Sequence, residues 1–113
     1  MIIQKSINFF QNMAEAGVSE VFTNSQADVM SLQINGELGG GSIILEGRNS
    51  SQNEWVPLAG INLSNFTISK DGFTTEGLYE LGITSVRQLR ARAENVDLAN
   101  VNVLGLLIST VEV

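Results

Sequence analysis

The sequence contains neither cysteine nor histidine, and the two absences together exclude several kinds of site. Without cysteine the chain has no thiolate nucleophile, no disulfide and no cysteine-based zinc site. Without histidine it lacks the side chain that most often serves as a general base near neutral pH and as a metal ligand. Acid–base chemistry would depend on carboxylates alone, and these are scattered along the chain. We expect a protein that is not an enzyme and binds no cofactor or metal.

Basic residues and long apolar runs are also scarce. Six lysines and arginines stand against twelve acidic residues, which gives a net charge of −6. A surface of this sign repels nucleic-acid phosphates, so we expect no nucleic-acid partner. The longest apolar stretch, Val103 to Ile108, is far shorter than the ~20 residues of a membrane helix. Residues 1–10 contain no signal-peptide hydrophobic stretch. We therefore expect a soluble protein without a membrane partner.

Apolar residues recur with a period of two over most of the chain, which is the pattern of β-strands. The segment Asp28–Asn35 places Met30, Leu32 and Ile34 on one face, and the segment Ser42–Arg48 alternates in the same way. The length of 113 residues suits one core. We predict a single domain over residues 1–113.

Turn signals separate the predicted strands. The glycine-rich segment 35–41 predicts a hairpin with a flexible tip between the first two, and the Asp-Gly pair at 71–72 predicts a second, tight hairpin. Pro57 places the short segment Trp55–Leu58 near a sheet edge. Together these features predict an all-β, antiparallel β-sandwich or jelly roll of about eight to nine short strands.

The first sixteen residues have more than one interpretation. Residues 3–16 contain good helix formers and end at Gly17, a plausible helix stop. We favour two strands, around Ser6–Gln11 and Val18–Thr23. An N-terminal arm over residues 1–16 is a third interpretation.

The segment 85–95 also admits either a helix or a strand. A serine at its start and an amphipathic pattern are compatible with a capped helix. The alternation of Leu89 and Ala91 with Arg90 and Arg92 favours a strand with a basic outer face.

The stretch Val101–Val113 is the most apolar part of the chain. A continuous apolar run in a strand indicates burial on both faces. The stretch is therefore either a central strand or part of a subunit interface, and we predict Leu104, Leu106 and Ile108 as interface residues.

Arg90 and Arg92 are further candidates for an interface. Side by side on one face of a strand, they could bind an acidic partner through bidentate pairs with carboxylates. Equally, they could pair within the chain with Glu46, Glu80 or Glu94 on neighbouring strands. The intramolecular interpretation is the one we favour.

Trp55 and Arg48 form a candidate ligand contact. An aromatic face can cover a sugar ring, and the neighbouring loop 48–54 is rich in asparagine, serine and glutamine. We favour the alternative that Trp55 packs in the core or closes one end of the sandwich.

The order of these segments resembles that of small, jelly-roll-like β-sandwich proteins of tailed bacteriophages and prophages. The likeness extends from Ile7 to the C terminus, through the strand VMSLQINGEL, the segment TTEGLYELGI and the late strand VRQLRARAENV. Its most specific part is Glu46-Gly47-Arg48, followed by a polar loop and by Trp55-Val56-Pro57-Leu58.

The resemblance implies a virion accessory protein, in capsid decoration, a head fibre or a tail structure. It implies a homo-oligomer, in particular a homotrimer, which binds a phage capsid or tail protein. Such a chain would be synthesised in the bacterial cytoplasm and reside on the virion surface. The alternative function is a carbohydrate- or receptor-binding module of a tail fibre, with a host-surface glycan as its ligand.

Overall fold

The chain folds entirely into β-strands and loops over the residues that can be described. The computed structural model describes the backbone of residues 2–110 and the side chains of residues 4–96 and 100–109. In chain order the strands are β1 (Ile2–Val18), β2 (Phe22–Thr23), β3 (Val29–Asn35), β4 (Ser42–Arg48), β5 (Val56–Pro57), β6 (Gly60–Asn62), β7 (Ile68–Ser69), β8 (Gly77–Gly82) and β9 (Gln88–Thr110). Every pairing between them is antiparallel. The prediction of an all-β, antiparallel fold is confirmed.

The long strand β9 organises the sheet. One edge of β9 pairs with β1 and then with β2. At Leu106 the two neighbours are Ser6 of β1 and Ser31 of β3, whereas at Arg92 they are Val18 of β1 and Ile44 of β4. The second edge of β9 therefore pairs with β4 along its first half and with β3 along its second half.

The predicted hairpin between β3 and β4 is wrong. The two strands do not pair with each other, because both run antiparallel to β9, one beyond the other. Loop 36–41 lies along β9 instead of projecting from it. Gly36, at φ +112°, has no room for a side chain because a Cβ would lie 2.3 Å from the Asn100 carbonyl oxygen. Gly41 similarly approaches the carbonyl of Glu94. The glycines here permit close packing of backbones.

The sheet is curled, and one β-bridge connects the regions near its two ends. Its order is β5-β4-β9-β3-β8-β6-β7, with β1 and β2 also on β9. Ile43 and Phe73 exchange two backbone hydrogen bonds and so connect β4 with the chain that follows β7. The Asp-Gly pair before Phe73 thus leads to β4, and the predicted tight hairpin at 71–72 is not formed; β6 and β7 form a hairpin instead.

The curled sheet encloses one hydrophobic core. Its fully buried members include side chains from β3, β4, β8 and β9, among them Leu32, Leu45, Leu81 and Leu89. Because the described strands belong to one curled, partly closed sheet, the core lies on the concave side and the outer side is convex. The sandwich or jelly-roll arrangement that we predicted is not confirmed.

Both ambiguous segments form strands. Residues 2–18 make up β1, so neither a helix nor a free arm is found in the described part of that segment. Residues 88–95 belong to β9, with Leu89 and Ala91 buried and with Arg90 and Arg92 on the opposite face. In the first segment we predicted two strands, around Ser6–Gln11 and Val18–Thr23. The structure has one long strand, β1, followed by the two-residue β2.

Candidate functional site

The outward side of the first half of β9 carries a charged cluster, which we call the arginine cluster: Glu46, Arg48, Trp55, Arg90 and Arg92. Glu46 is 5% exposed and lies opposite Arg90 across the β4–β9 pair. The Arg90 Nε donates a hydrogen bond of 2.8 Å to one Glu46 carboxylate oxygen. The Arg92 Nε lies 3.5 Å from the other oxygen, and Arg92 also pairs with Glu94. The buried carboxylate therefore has two cationic partners.

Trp55 packs against this cluster. The guanidinium carbons of Arg48 and Arg90 lie 4.2 and 4.4 Å from the centroid of its ring, distances at which cations are attracted to the π system. The Arg48 Nε also donates to the Gln88 side chain at 2.7 Å. The half-buried indole thus lies against one arginine of β4 and one of the first half of β9.

These contacts bear on three predicted site residues. The intramolecular pairing that we favoured for Arg90 and Arg92 is found, with Glu46 and Glu94 as partners. Trp55 packs on the protein's own arginines, and these occupy ring surface that a sugar would need. Binding of a partner by Arg90 and Arg92, and of a ligand by Trp55 and Arg48, stays a prediction.

The second half of β9 presents a different outward side. Val101, Val103 and Leu107 point into the core, whereas Leu104 is 43% exposed and Leu106 and Ile108 are half-buried. The predicted interface residues therefore share one outward stripe on a central strand. The expectation that the run is buried on both faces is wrong, because β9 is covered on its concave side only.

The stripe belongs to a larger surface, which we call the outer face. It comprises the outward side chains of the first part of β1, the second half of β9, and β3, β8, β6 and β7. Because the strands pair residue by residue, outward side chains of neighbouring strands lie side by side in rows across the sheet. One such row consists of Asn8, Leu104, Gln33 and Leu78. Its apolar members include Ile61, Ile68, Leu78, Leu104, Leu106 and Ile108.

The outer face has almost no charge. The polar side chains between the apolar ones, such as Ser6, Asn8, Ser31 and Gln33, are neutral. Among the described outward residues of these strands, Glu80 alone is charged. In a chain with a net charge of −6, an apolar surface of this kind marks a site of interaction more often than a solvated face.

A depression lies in the outer face where β9, β3 and β8 run side by side. It is mainly apolar, since Leu78, Leu104 and Leu106 line it together with Ser6, Ser31 and Gln33. Its volume is about 210 Å³, which exceeds the roughly 150 Å³ of an engineered cavity that admits benzene. The depression could accept an aromatic side chain.

The β6–β7 hairpin carries an exposed aromatic ring at its tip. Phe66 is 77% exposed, the largest exposed fraction among the large hydrophobic residues described. The loop around it is tied at both ends: the Phe66 N–H donates to the Asn62 carbonyl, and the Asn62 N–H donates to the Thr67 carbonyl. The Asn65 side chain accepts two further bonds from Thr67.

Our sequence predictions missed Phe66 and its neighbours. The signal was present, because Phe66 follows Ser64-Asn65 and precedes Thr67, and asparagine and serine at such positions form side-chain turns. A large aromatic residue inside a polar turn indicates an exposed ring. Leu78 was missed as well, since the face on which it lies depends on which strands pair with β8.

Metal and membrane sites receive no support from the part of the chain that the structure describes. Residues 4–96 and 100–109 contain no cluster of three carboxylates placed to hold an ion. No helix that could cross a membrane occurs among the described residues.

Solved structures of other proteins share this fold, although no protein-family model and no curated protein matches the sequence. The crystal structure of the SPBc2 prophage-derived protein YomS has a TM-score of 0.85 with this chain and 17% sequence identity. The match covers 96% of each of the two chains.

A second similar structure is that of the PBSX exported protein XepA. It has a TM-score of 0.87 and 13% identity, and the match covers 96% of this chain but 38% of XepA. At these identities the likeness establishes the fold alone. This chain is thus similar over almost its whole length to YomS, and to one part of the longer XepA.

Proposed function

We propose that this chain is a non-enzymatic accessory protein of a bacteriophage particle, which assembles with copies of itself and attaches to a capsid or tail protein. A phage origin is supported by the fold, because it is similar to those of the prophage-derived YomS and the PBSX protein XepA. The segment order that resembles phage accessory proteins supports the same origin.

The outer face is the observation that carries the proposal. Leu78 and Leu104 are each more than two-fifths exposed there, and the surface around them is almost uncharged. Exposed apolar surface is costly in a monomer and becomes favourable when a partner covers it. Binding by this surface needs shape and apolar contact, and it needs no catalytic group.

Within the particle we assign the chain to capsid decoration or a head fibre, and we propose a homotrimer as the assembled form. This assignment rests on the resemblance to virion accessory proteins of tailed phages, among which are head-decoration and head-fibre proteins. The chain would be made in the bacterial cytoplasm and reside on the particle surface.

Two measurements test the proposal. Sedimentation equilibrium of the purified protein over a wide concentration range should give a mass above that of the monomer, and a trimer should give three times that mass. A monomer at every concentration would contradict self-assembly.

The second measurement addresses the particle. Mass spectrometry of particles purified from the phage or lysogen that encodes the chain should detect it in a fixed ratio to a capsid or tail protein. Its absence from intact particles would contradict a virion role.

A further inference from the structure

Phe66 has a backbone conformation that is energetically unfavourable for an aromatic residue. Its φ is +60°, in the left-handed region, where the Cβ of a side chain lies too close to the following carbonyl oxygen. The ring gains little packing within the chain in return, since it is 77% exposed. A residue that lowers stability and packs only slightly against the described part of its own chain is expected to have a function in binding.

The loop holds the ring in a defined place. The Asn62 side chain, which belongs to a residue 9% exposed, accepts hydrogen bonds from the backbone and the hydroxyl of Ser64. Asn65 binds Thr67 in the same way. Because the turn is ordered before binding, less conformational entropy is lost when the ring is buried by a partner.

We propose that Phe66 of one copy inserts into the depression formed by Leu78, Leu104 and Leu106 of a second copy. This inference rests on the proposed function, since it names the contact through which copies assemble. The depression has space for a phenyl ring. The ring lies apart from it, in the loop that joins β6 to β7 at one end of the sheet. Each copy therefore supplies one protruding ring and one receptor site.

Charge favours a second copy over a charged partner. Two chains of net charge −6 repel each other, and they can approach most easily through a surface where charge is lowest. The outer face is such a surface, because Glu80 carries the one carboxylate among its described side chains. An anionic lipid surface would gain nothing from these side chains and would be repelled by the chain as a whole.

The size of the face is compatible with a specific contact. The face spans six strands about 4.8 Å apart, which contribute on average about six residues of 3.3 Å, although β6 and β7 contribute only three and two. Its projected area is therefore roughly 570 Å² per copy, or roughly 1,100 Å² for two copies that cover each other completely. This area lies at the lower bound for specific interfaces. Because the face is convex, a ring that enters a depression adds contact that two convex surfaces would otherwise lack.

Disulfide trapping tests the contact directly, since the chain has no cysteine of its own. One batch carries Thr67→Cys, next to Phe66, and a second carries Gln33→Cys, at the wall of the depression. The two batches are mixed and treated with a mild oxidant. The control mixture pairs Thr67→Cys with Gln52→Cys, because Gln52 is an exposed glutamine in the loop near Trp55.

The mixture of Thr67→Cys and Gln33→Cys should form crosslinked dimers at least about tenfold faster than the control, because contact raises the effective concentration of the two thiols. Adding Phe66→Asn to both chains should reduce the rate to that of the control. Asparagine tolerates the left-handed conformation, so this variant removes the ring and keeps the turn.

Equal rates in the two mixtures, or a rate unaffected by Phe66→Asn, would overturn the inference. If the unmodified protein is oligomeric by sedimentation while trapping fails, the proposed assembly stands and the Phe66 contact is wrong. If the unmodified protein is monomeric, both are wrong. Binding of the monomer to lipid vesicles, lost on Phe66→Asn, would assign the ring to a membrane instead.

Discussion

The two halves of β9 have the same strand geometry and opposite outward chemistry. In both halves alternate side chains point into the core. The outward side of the first half carries arginines, which are paired with Glu46 and packed against Trp55. The outward side of the second half carries Leu104, Leu106 and Ile108, and part of this surface remains exposed.

The difference shows that burial and alternation identify a strand but not its role. In the first half the charges are paired within the chain, because Glu46 and Glu94 bind Arg90 and Arg92. The Trp55 ring also packs against Arg90. The second half has apolar surface that the described residues of the chain leave partly exposed. We therefore expect the first half to stabilise the fold and the second half to bind partners.

The largest effect should come from removing the buried carboxylate. Glu46→Ala should lower the free energy of unfolding by about 3 kcal/mol, because it leaves Arg90 and Arg92 without their shared partner in a partly desolvated place. The matched control is Glu80→Ala on the outer face, with an expected change within about 0.5 kcal/mol. Urea denaturation followed by circular dichroism measures both. A similar decrease in the free energy of unfolding for the two variants would contradict the proposed difference between the halves of β9.

Two aromatic residues offer a second test of the comparison. Trp55→Ala should lower the free energy of unfolding by about 2 kcal/mol, since it removes two cation–π contacts and exposes the side chains of Arg48 and Arg90 to solvent. Phe66→Ala should leave the free energy of unfolding almost unchanged, because the Phe66 ring is exposed. Thermal unfolding at a concentration where the protein is monomeric compares the two, and a larger loss at Phe66 would contradict our assignment.

The smallest effect concerns the backbone of the β6–β7 loop. Phe66→Gly should raise the free energy of unfolding of the monomer by up to about 1 kcal/mol, because glycine adopts a positive φ without strain. The greater freedom of glycine in the unfolded chain will offset part of this gain. Chemical denaturation detects the change. A clear loss of stability would indicate that the ring supports the fold.

Strands were predictable from the sequence because their signal is local. Met30, Leu32 and Ile34 alternate with half-buried or exposed side chains, and all three are buried. Arg90 and Arg92 lie together on the outward face of β9, as the alternation with Leu89 and Ala91 predicted. The partners of each strand were not predictable, since β3 and β4 follow each other along β9, and every residue that they pair with in β9 is at least forty positions away in the sequence.

The candidate site could be predicted in part for the same reason. The apolar run drew attention to Leu104, Leu106 and Ile108, but their exposure depends on what covers the convex side of a curled sheet. Leu78 of β8 lies on the same surface as these residues of β9 because β3 pairs with both strands and lies between them. The depression is thus a product of strand order, which a single sequence does not reveal.

Sedimentation equilibrium of Leu104→Lys beside the unmodified protein tests the central claim most directly. A lysine on the outer face leaves the core unchanged, so circular dichroism should show the same fold, and its charge should oppose burial of the face. We predict that the unmodified protein is oligomeric and that the variant sediments as a monomer at the same concentrations. Equal masses for two folded proteins would contradict the claim that the second half of β9 mediates assembly.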